Sequence, residues 1–223
     1  MEDTIEYKGR IITIERDAEP FDPREDDNMG TMVCFHKRYV LGDRNHGISE
    51  DHYYSDKIGD TIYINNWDDV KKQIKELKGE IAVILPLFLY DHSGITMYTS
   101  GNTDYRQHES WDSGQVGFIF ITKKKVREEY QVKRISNKLL EKVKKALIQE
   151  VETYDDYLTG NVYGFTTDND SCWGFFGDSG YKEAIEEAKN SIDCQIEKEQ
   201  KEHEDKLKRY IKNNVPLQYR FIN

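Results

Sequence analysis

Histidine, cysteine and aspartate residues concentrate in the first half of the chain, and together they are the side chains that bind transition metals. Five of the six histidines lie between residues 36 and 108. Cys34 and His36 are two residues apart on a predicted strand, which would place both on one face. Thiolate, imidazole and carboxylate groups suit zinc or iron. The candidate metal ligands are Cys34, His36 and His92, with Asp43, His46, Asp91 and Asp112 as further donors.

The spacing of these residues matches no common metal-binding motif. The sequence has neither a His-x-His nor a His-x-x-x-His pair, and the candidates come from separate predicted loops. The alternative interpretation is that Cys34 fills core space and that the histidines make hydrogen bonds in loops. No cofactor is therefore favoured.

Acid–base or nucleophilic catalysis is a second chemistry that the residue types allow. Asp91, His92 and Ser93 are consecutive, and Asp112 precedes Ser113. A hydrolase triad requires such groups to meet in space, and a nucleophile elbow has the pattern Gly-x-Ser-x-Gly. That pattern is absent from the sequence, and aspartates in such turns commonly cap their own backbone. The catalytic candidates are His92, Asp91 and Asp112.

The chain is acidic, with 42 Asp and Glu residues against 32 Lys and Arg residues and a net charge of −10. Phosphate backbones repel such a protein, so nucleic-acid binding is not expected without a local basic patch. An acidic surface can instead occupy a basic groove of a partner protein. Residues 15–27 form an acidic stretch, which Pro20 and Pro23 make a predicted loop or exposed edge. Its predicted binding residues are Asp22, Glu25, Asp26 and Asp27.

Aromatic residues are abundant, with 15 Tyr, 9 Phe and 3 Trp. Trp111 and Trp173 lie on predicted strands flanked by glycine. If they are exposed they would anchor an interface, and if they are buried they belong to the core. The basic block at residues 123–134 combined with these tryptophans resembles a single-stranded nucleic-acid surface. The simpler interpretation of the block is a solvated helix face.

Apolar runs bounded by turn residues predict a sheet. Residues 81–90, 95–99 and 111–121 predict buried central strands. Further strands are predicted within residues 5–15, 31–36 and 61–64. Residues 161–167 and 171–176 predict a hairpin, because Asp168, Asn169 and Asp170 between them are turn residues.

Helices are predicted where apolar residues recur at spacings of three and four. They cover residues 66 or 67 to 78, residues 123–130, a long segment from Ser136 to Gly160, and residues 181–213. The last helix is nearly all polar at 197–206, so it is either solvated or packs on another chain, and a homo-oligomer through this helix is one such arrangement. The predicted class is α+β, a mainly antiparallel sheet with helices packed on it. We predict a core domain at 1–178 and a C-terminal helix and tail at 179–223.

The cellular setting predicted from the sequence is the cytoplasm. Cys34, Cys172 and Cys194 form no Cys-x-x-Cys pair, and an odd number of cysteines argues against a disulfide framework. We expect no secretory leader at residues 1–10. The apolar run at 81–90 is too short to cross a bilayer as a helix.

Several motifs resemble an uncharacterised protein family of bacterial phages, prophages and mobile elements with relatives in archaea. The resemblance covers residues 22–177 and implies a mobile-element setting and a host cytoplasm, without an activity, catalytic residues or a cofactor. Its motifs are Pro-Arg-Glu at 23–25, NMGTMVCFH at 28–36, YVLGD at 39–43, PLFLYDHSGITM at 86–97, WDSGQVG at 111–117, EVETYDDYLTG at 150–160 and CWGFFG at 172–177.

Three functional hypotheses follow. We favour a non-enzymatic accessory protein that binds and inhibits or modulates a host protein complex, a defence system included, through its acidic and aromatic surfaces. The acidic stretch at 15–27 and the charged helix at 183–205 would supply those surfaces. The first alternative is a small metal-dependent hydrolase with His and Asp residues at strand ends. The second is a single-stranded nucleic-acid binder.

Overall fold

The computed structural model describes residues 2–48, 67–91, 94–100, 113–216 and 219. Its antiparallel sheets and helices confirm the predicted α+β class. The described chain divides into two compact units. Unit 1 is Met1–Glu19 with Val162–Asn223, and unit 2 is Pro20–Asn161. The predicted division into a core domain at 1–178 and a C-terminal helix and tail at 179–223 stays a prediction.

Eight strands and four α-helices make up the described residues. In chain order they are β1 (Glu2–Tyr7), β2 (Arg10–Arg16), β3 (Thr31–Cys34), α1 (Trp67–Lys78), β4 (Ile81–Asp91), β5 (Ile95–Thr99), β6 (Ser113–Thr122), α2 (Lys123–Glu129), α3 (Asn137–Thr159), β7 (Val162–Thr166), β8 (Ser171–Phe176) and α4 (Gly177–Asn214). A short 3-10 turn at Pro23–Glu25 precedes β3. The strand predicted at 61–64 lies outside the described residues.

Unit 1 is an antiparallel sheet in the order β1-β2-β7-β8 with α4 packed on it. Lys8 and Gly9 both have positive φ, which suits the two-residue turn that joins β1 to β2. Helix α4 buries Ala184, Ala188 and Ile192 against the sheet, as its apolar periodicity predicts. It begins at Gly177, four residues before the predicted start, because β8 continues directly into it.

Unit 2 is an antiparallel sheet in the order β3-β6-β4-β5, covered on both faces. Successive strand residues point to opposite faces. Ile119 and Ile121 therefore pack with α3, while Phe118 and Phe120 pack with α1. Burial on both faces explains why the β6 sequence is continuously apolar rather than alternating.

The helices of unit 2 have the ends that the sequence predicts. Ser136 accepts a hydrogen bond from the backbone N–H of Leu139 and caps α3, and Gly160 ends it in the left-handed conformation. Helix α1 buries Val70 and Ile74, whereas Leu77, which its spacing of seven and three from them places on the same apolar face, is exposed. No helix within the described ranges is long and apolar enough to span a membrane.

Candidate functional site

Two of the metal and catalytic candidates predicted from the sequence, His36 and Asp91, lie at the same edge of the unit 2 sheet. Strands β3 and β4 are each antiparallel to β6 and so run in the same direction. Their carboxyl ends therefore meet at the same edge, where Asp91 ends β4 and His36 follows β3. This edge is the natural place to look for a site.

His36 is fixed by the turn that follows β3. Its Nδ1 accepts hydrogen bonds from the backbone N–H groups of Arg38 and Tyr39, both at 3.3 Å. Its ring stacks on the Tyr39 ring with centroids 4.9 Å apart. Because Nδ1 is an acceptor, the neutral ring carries its proton on Nε2. His36 in this arrangement is a hydrogen-bond donor rather than a base.

The pKa of His36 is lowered from its ordinary value. Burial is the main cause, and the positive charge of Arg38 lowers the pKa further, while the negative charge of Asp91 opposes both. The imidazole is therefore neutral at pH 7.

Asp91 is held in place by two side chains of the turn that follows β3. It accepts a hydrogen bond from the Arg38 guanidinium and another from the Tyr39 hydroxyl at 3.4 Å. The same guanidinium lies 5.3 Å from the centroid of the Tyr39 ring. Arg38 and Tyr39, which lie two and three residues after His36, were not among the catalytic or metal candidates predicted from the sequence. The cluster is suited to holding a polar group, and His92 and Asp112, the other catalytic candidates, lie outside the described residues.

Cys34, the third metal candidate, is part of the core rather than of this edge cluster. Its thiol packs among buried residues on the α3 side of the sheet. Burial raises its pKa, the negative charge of Asp43 adds to the increase, and Arg24 opposes it. The sequence predicted that Cys34 and His36 lie on the same face of one strand. Strand β3 ends at Cys34, so His36 lies beyond the strand and the alternation of strand residues does not apply to it. Among the described residues no three His, Cys, Asp or Glu side chains form a metal-binding group.

The predicted acidic binding residues lie on a turn that a buried arginine, Arg24, holds in place. Asp22 accepts a hydrogen bond from the backbone N–H of Arg24 and caps the 3-10 turn at Pro23–Glu25. This hydrogen bond to the backbone gives the carboxylate of Asp22 a role in forming the turn. The side chains of Glu25, Asp26 and Asp27 are exposed.

Arg24 is the anchor of this acidic turn, and its side chain is only 2% exposed. Its Nε donates to Asp43 at 2.8 Å and its Nη1 donates to Glu150 on α3 at 3.0 Å. Its Nη2 donates to the carbonyl of Gly30 at 2.9 Å. Burial alone would lower the pKa of Arg24, but the hydrogen bonds and charges of Asp43 and Glu150 raise it overall. Arg24 is therefore a fully paired buried cation.

The two carboxylates also bind the backbone of the segment that enters β3. Glu150 accepts hydrogen bonds from the N–H groups of Met29 and Gly30, and Asp43 accepts one from Met32. Four separate segments of the chain supply this network, at residues 23–25, 28–36, 39–43 and 150–160. Together they hold the acidic turn in place.

An aromatic side chain and a cleft adjoin the acidic turn. Phe21 is 57% exposed immediately before it. A cleft of about 460 Å³ beside the turn is lined by both acidic and basic groups. They include Asp22, Glu25, Asp43, Arg44, His46 and Lys78. Arg44 approaches Glu25 only to 3.9 Å, which is a weak surface pair.

Trp173 in unit 1 is also accessible. It lies on β8, which is an outer strand of its sheet, and it is 43% exposed. Its ring occupies the space next to Gly164 on β7, where a Cβ atom would come within 2.2 Å of it. The ring therefore packs directly against the backbone of Gly164. Trp111, its predicted companion, lies outside the described residues.

Comparisons of this chain with protein-family models, with curated proteins and with solved structures found no match.

Proposed function

We propose that this chain is a non-enzymatic accessory protein of a phage or mobile element that binds a host protein complex and modulates it, a defence complex included. The acidic turn formed by Glu25, Asp26 and Asp27, with Phe21 beside it, is the contact surface. The single observation that carries the proposal is the anchoring of this turn by the buried Arg24.

Anchoring matters because binding costs conformational freedom. A flexible acidic loop would have to be ordered on contact, whereas a turn tied to Asp43, Glu150 and Gly30 is already ordered. The carboxylates of Asp26 and Asp27 accept no hydrogen bond from any described residue. Their charge is therefore available to a basic groove on a partner, and the exposed Phe21 adds an apolar anchor.

The hydrolase alternative receives less support from the described residues. The neutral His36 holds its proton on Nε2, and Asp91 is paired with Arg38. Neither group is arranged to remove a proton from a substrate or water. The Cys34 thiol is buried and protonated.

The test is quantitative affinity capture from host lysate with two charge variants. The first carries Glu25→Gln, Asp26→Asn and Asp27→Asn. The matched control removes the same number of charges from exposed positions outside both predicted contact surfaces, as Glu2→Gln, Glu6→Gln and Glu129→Gln.

We expect the wild type and the control to retain the same partner, with retention falling as salt is raised, and the turn variant to lose it. Equal retention by all three proteins, or equal loss in both variants, would overturn the assignment of the contact to the turn. Circular dichroism of each variant verifies that the fold is intact.

A further inference from the structure

The positive charge of this acidic protein is concentrated in one segment. Residues 123–145 contain ten Lys or Arg and three Glu, a formal charge of +7, so the rest of the chain carries −17. The segment comprises α2, the following turn and the first part of α3. Such a concentration is the local basic patch that the net charge alone would not indicate.

The cations from the turn and α3 line one open groove of about 590 Å³. Lys138, Lys142 and Lys145 lie on one face of α3 because they are spaced by four and three residues. Arg134, three residues before the start of α3, also lines the groove. The half-buried Val132 and Leu139 form an apolar part of its lining.

Salt bridges do not account for the presence of these cations. Arg134, Lys138, Lys142 and Lys145 form no ion pair with any described residue. The Lys142 ammonium lies 5.0 Å from the centroid of the Tyr130 ring. Glu141 is the one carboxylate among the groove residues.

The charge distribution along α3 is opposite to the one that the helix dipole favours. Cations are favoured near the carboxyl end and carboxylates near the amino end. Helix α3 has no acidic residue in its first turn and no basic residue in its last turn. Lysines instead gather toward its amino end, so helix stability does not account for their placement.

We infer that this groove binds single-stranded nucleic acid through its phosphate backbone. Lys138 and Lys145 are about 10 Å apart along the helix axis, which is the rise of about three stacked nucleotides. The lysines and Arg134 contact successive phosphates, and the apolar surface of Val132 and Leu139 receives a sugar or base face. The amino end of α3 adds its positive field. The site is separate in residues from the acidic turn and independent of the proposed function.

The experiment measures fluorescence anisotropy of a labelled mixed-sequence 20-nucleotide DNA strand, titrated with the full chain at several salt concentrations. The test variant is Lys138→Gln, Lys142→Gln and Lys145→Gln, which keeps good helix formers. The control is Lys198→Gln, Lys201→Gln and Lys206→Gln on the exposed part of α4, with the same change in charge. Flotation with phosphatidylserine vesicles runs in parallel.

We expect the wild type and the control to bind the strand, and the test variant to bind at least tenfold more weakly. The slope of log affinity against log salt should fall by about 2 in the test variant, since each neutralised phosphate contributes about 0.7 for single strands. Unchanged binding in the test variant, equal loss in the control, or binding to the vesicles but not to DNA would each overturn the inference.

Discussion

Arg24 donates a hydrogen bond to Glu150 at 3.0 Å across 126 positions of the sequence. This contact ties a surface turn to the helix that covers the sheet of unit 2. It also explains how a segment rich in aspartate and glutamate is held in one conformation. The Arg24 guanidinium binds Asp43 and Glu150, and these carboxylates accept hydrogen bonds from the backbone at the start of β3. The turn is therefore part of the packed structure rather than a loose loop.

Replacing Arg24 with Met should destabilise unit 2 strongly. The substitution leaves the carboxylates of Asp43 and Glu150 without their cation in a partly buried site, which typically costs about 3–5 kcal/mol. The measurement is urea unfolding followed by circular dichroism. The control is Arg44→Gln, which removes a 73% exposed guanidinium 3.9 Å from Glu25 and should cost less than about 1 kcal/mol. Similar midpoints for the two variants would refute the anchoring role.

The close contact between β3 and β6 predicts a second large effect. A Cβ atom at Gly117 would lie 1.9 Å from the carbonyl oxygen of Val33, so Gly117→Ala must displace the strand backbone. We expect a loss of about 3 kcal/mol or more in the free energy of unfolding. Gly114→Ala is the matched control in the same strand, since among the described residues, its two chain neighbours apart, no atom lies within 4 Å of the position that a Cβ atom would take there. Its unfolding midpoint should stay close to that of the wild type.

The lowered pKa of His36 predicts how stability depends on pH. The unfolded chain binds a proton at this residue near pH 6.5, whereas the folded chain binds it only at lower pH. Its contribution to stability is therefore complete above about pH 6.5 and declines as the pH falls through the folded pKa. NMR titration of the His36 ring should give a pKa below 6.5. A midpoint at or above 6.5 would contradict the burial of the ring, and His36→Gln should remove this component of the pH dependence.

Alkylation should distinguish the three cysteines. Cys34 is buried and its pKa is raised, while Cys172 and Cys194 are exposed. Because the thiolate is the reactive form, iodoacetamide should modify Cys172 and Cys194 in the native protein, and Cys34 only after denaturation. Peptide mass spectrometry locates the adducts. Rapid native labelling of Cys34, at a rate similar to that of the exposed pair, would show that the sheet interior is open to the reagent.

Local pattern was enough to predict individual elements of this protein. Helix α3 was predictable because its cap, its apolar spacing and its terminal glycine all lie within the helix itself or next to it. The β7–β8 hairpin was predictable from the turn residues between its strands, and Thr167 does bond to Asp170 across that turn. The acidic character of residues 15–27 was equally plain from the sequence.

The partners of distant residues were decided only by tertiary structure. Strand β2 pairs with β7, so the amino-terminal hairpin and the last helix share one unit, and no local feature of either segment indicates this. The direction of β3 and β4 brings His36 and Asp91 to one edge, and the fold alone places Arg24 between Asp43 and Glu150. The sequence by itself determined the elements, the fold class and the exposed acidic segment, because these depend on propensity, periodicity and charge. Tertiary structure decided which groups meet, because burial and strand order act between residues that are far apart in the chain.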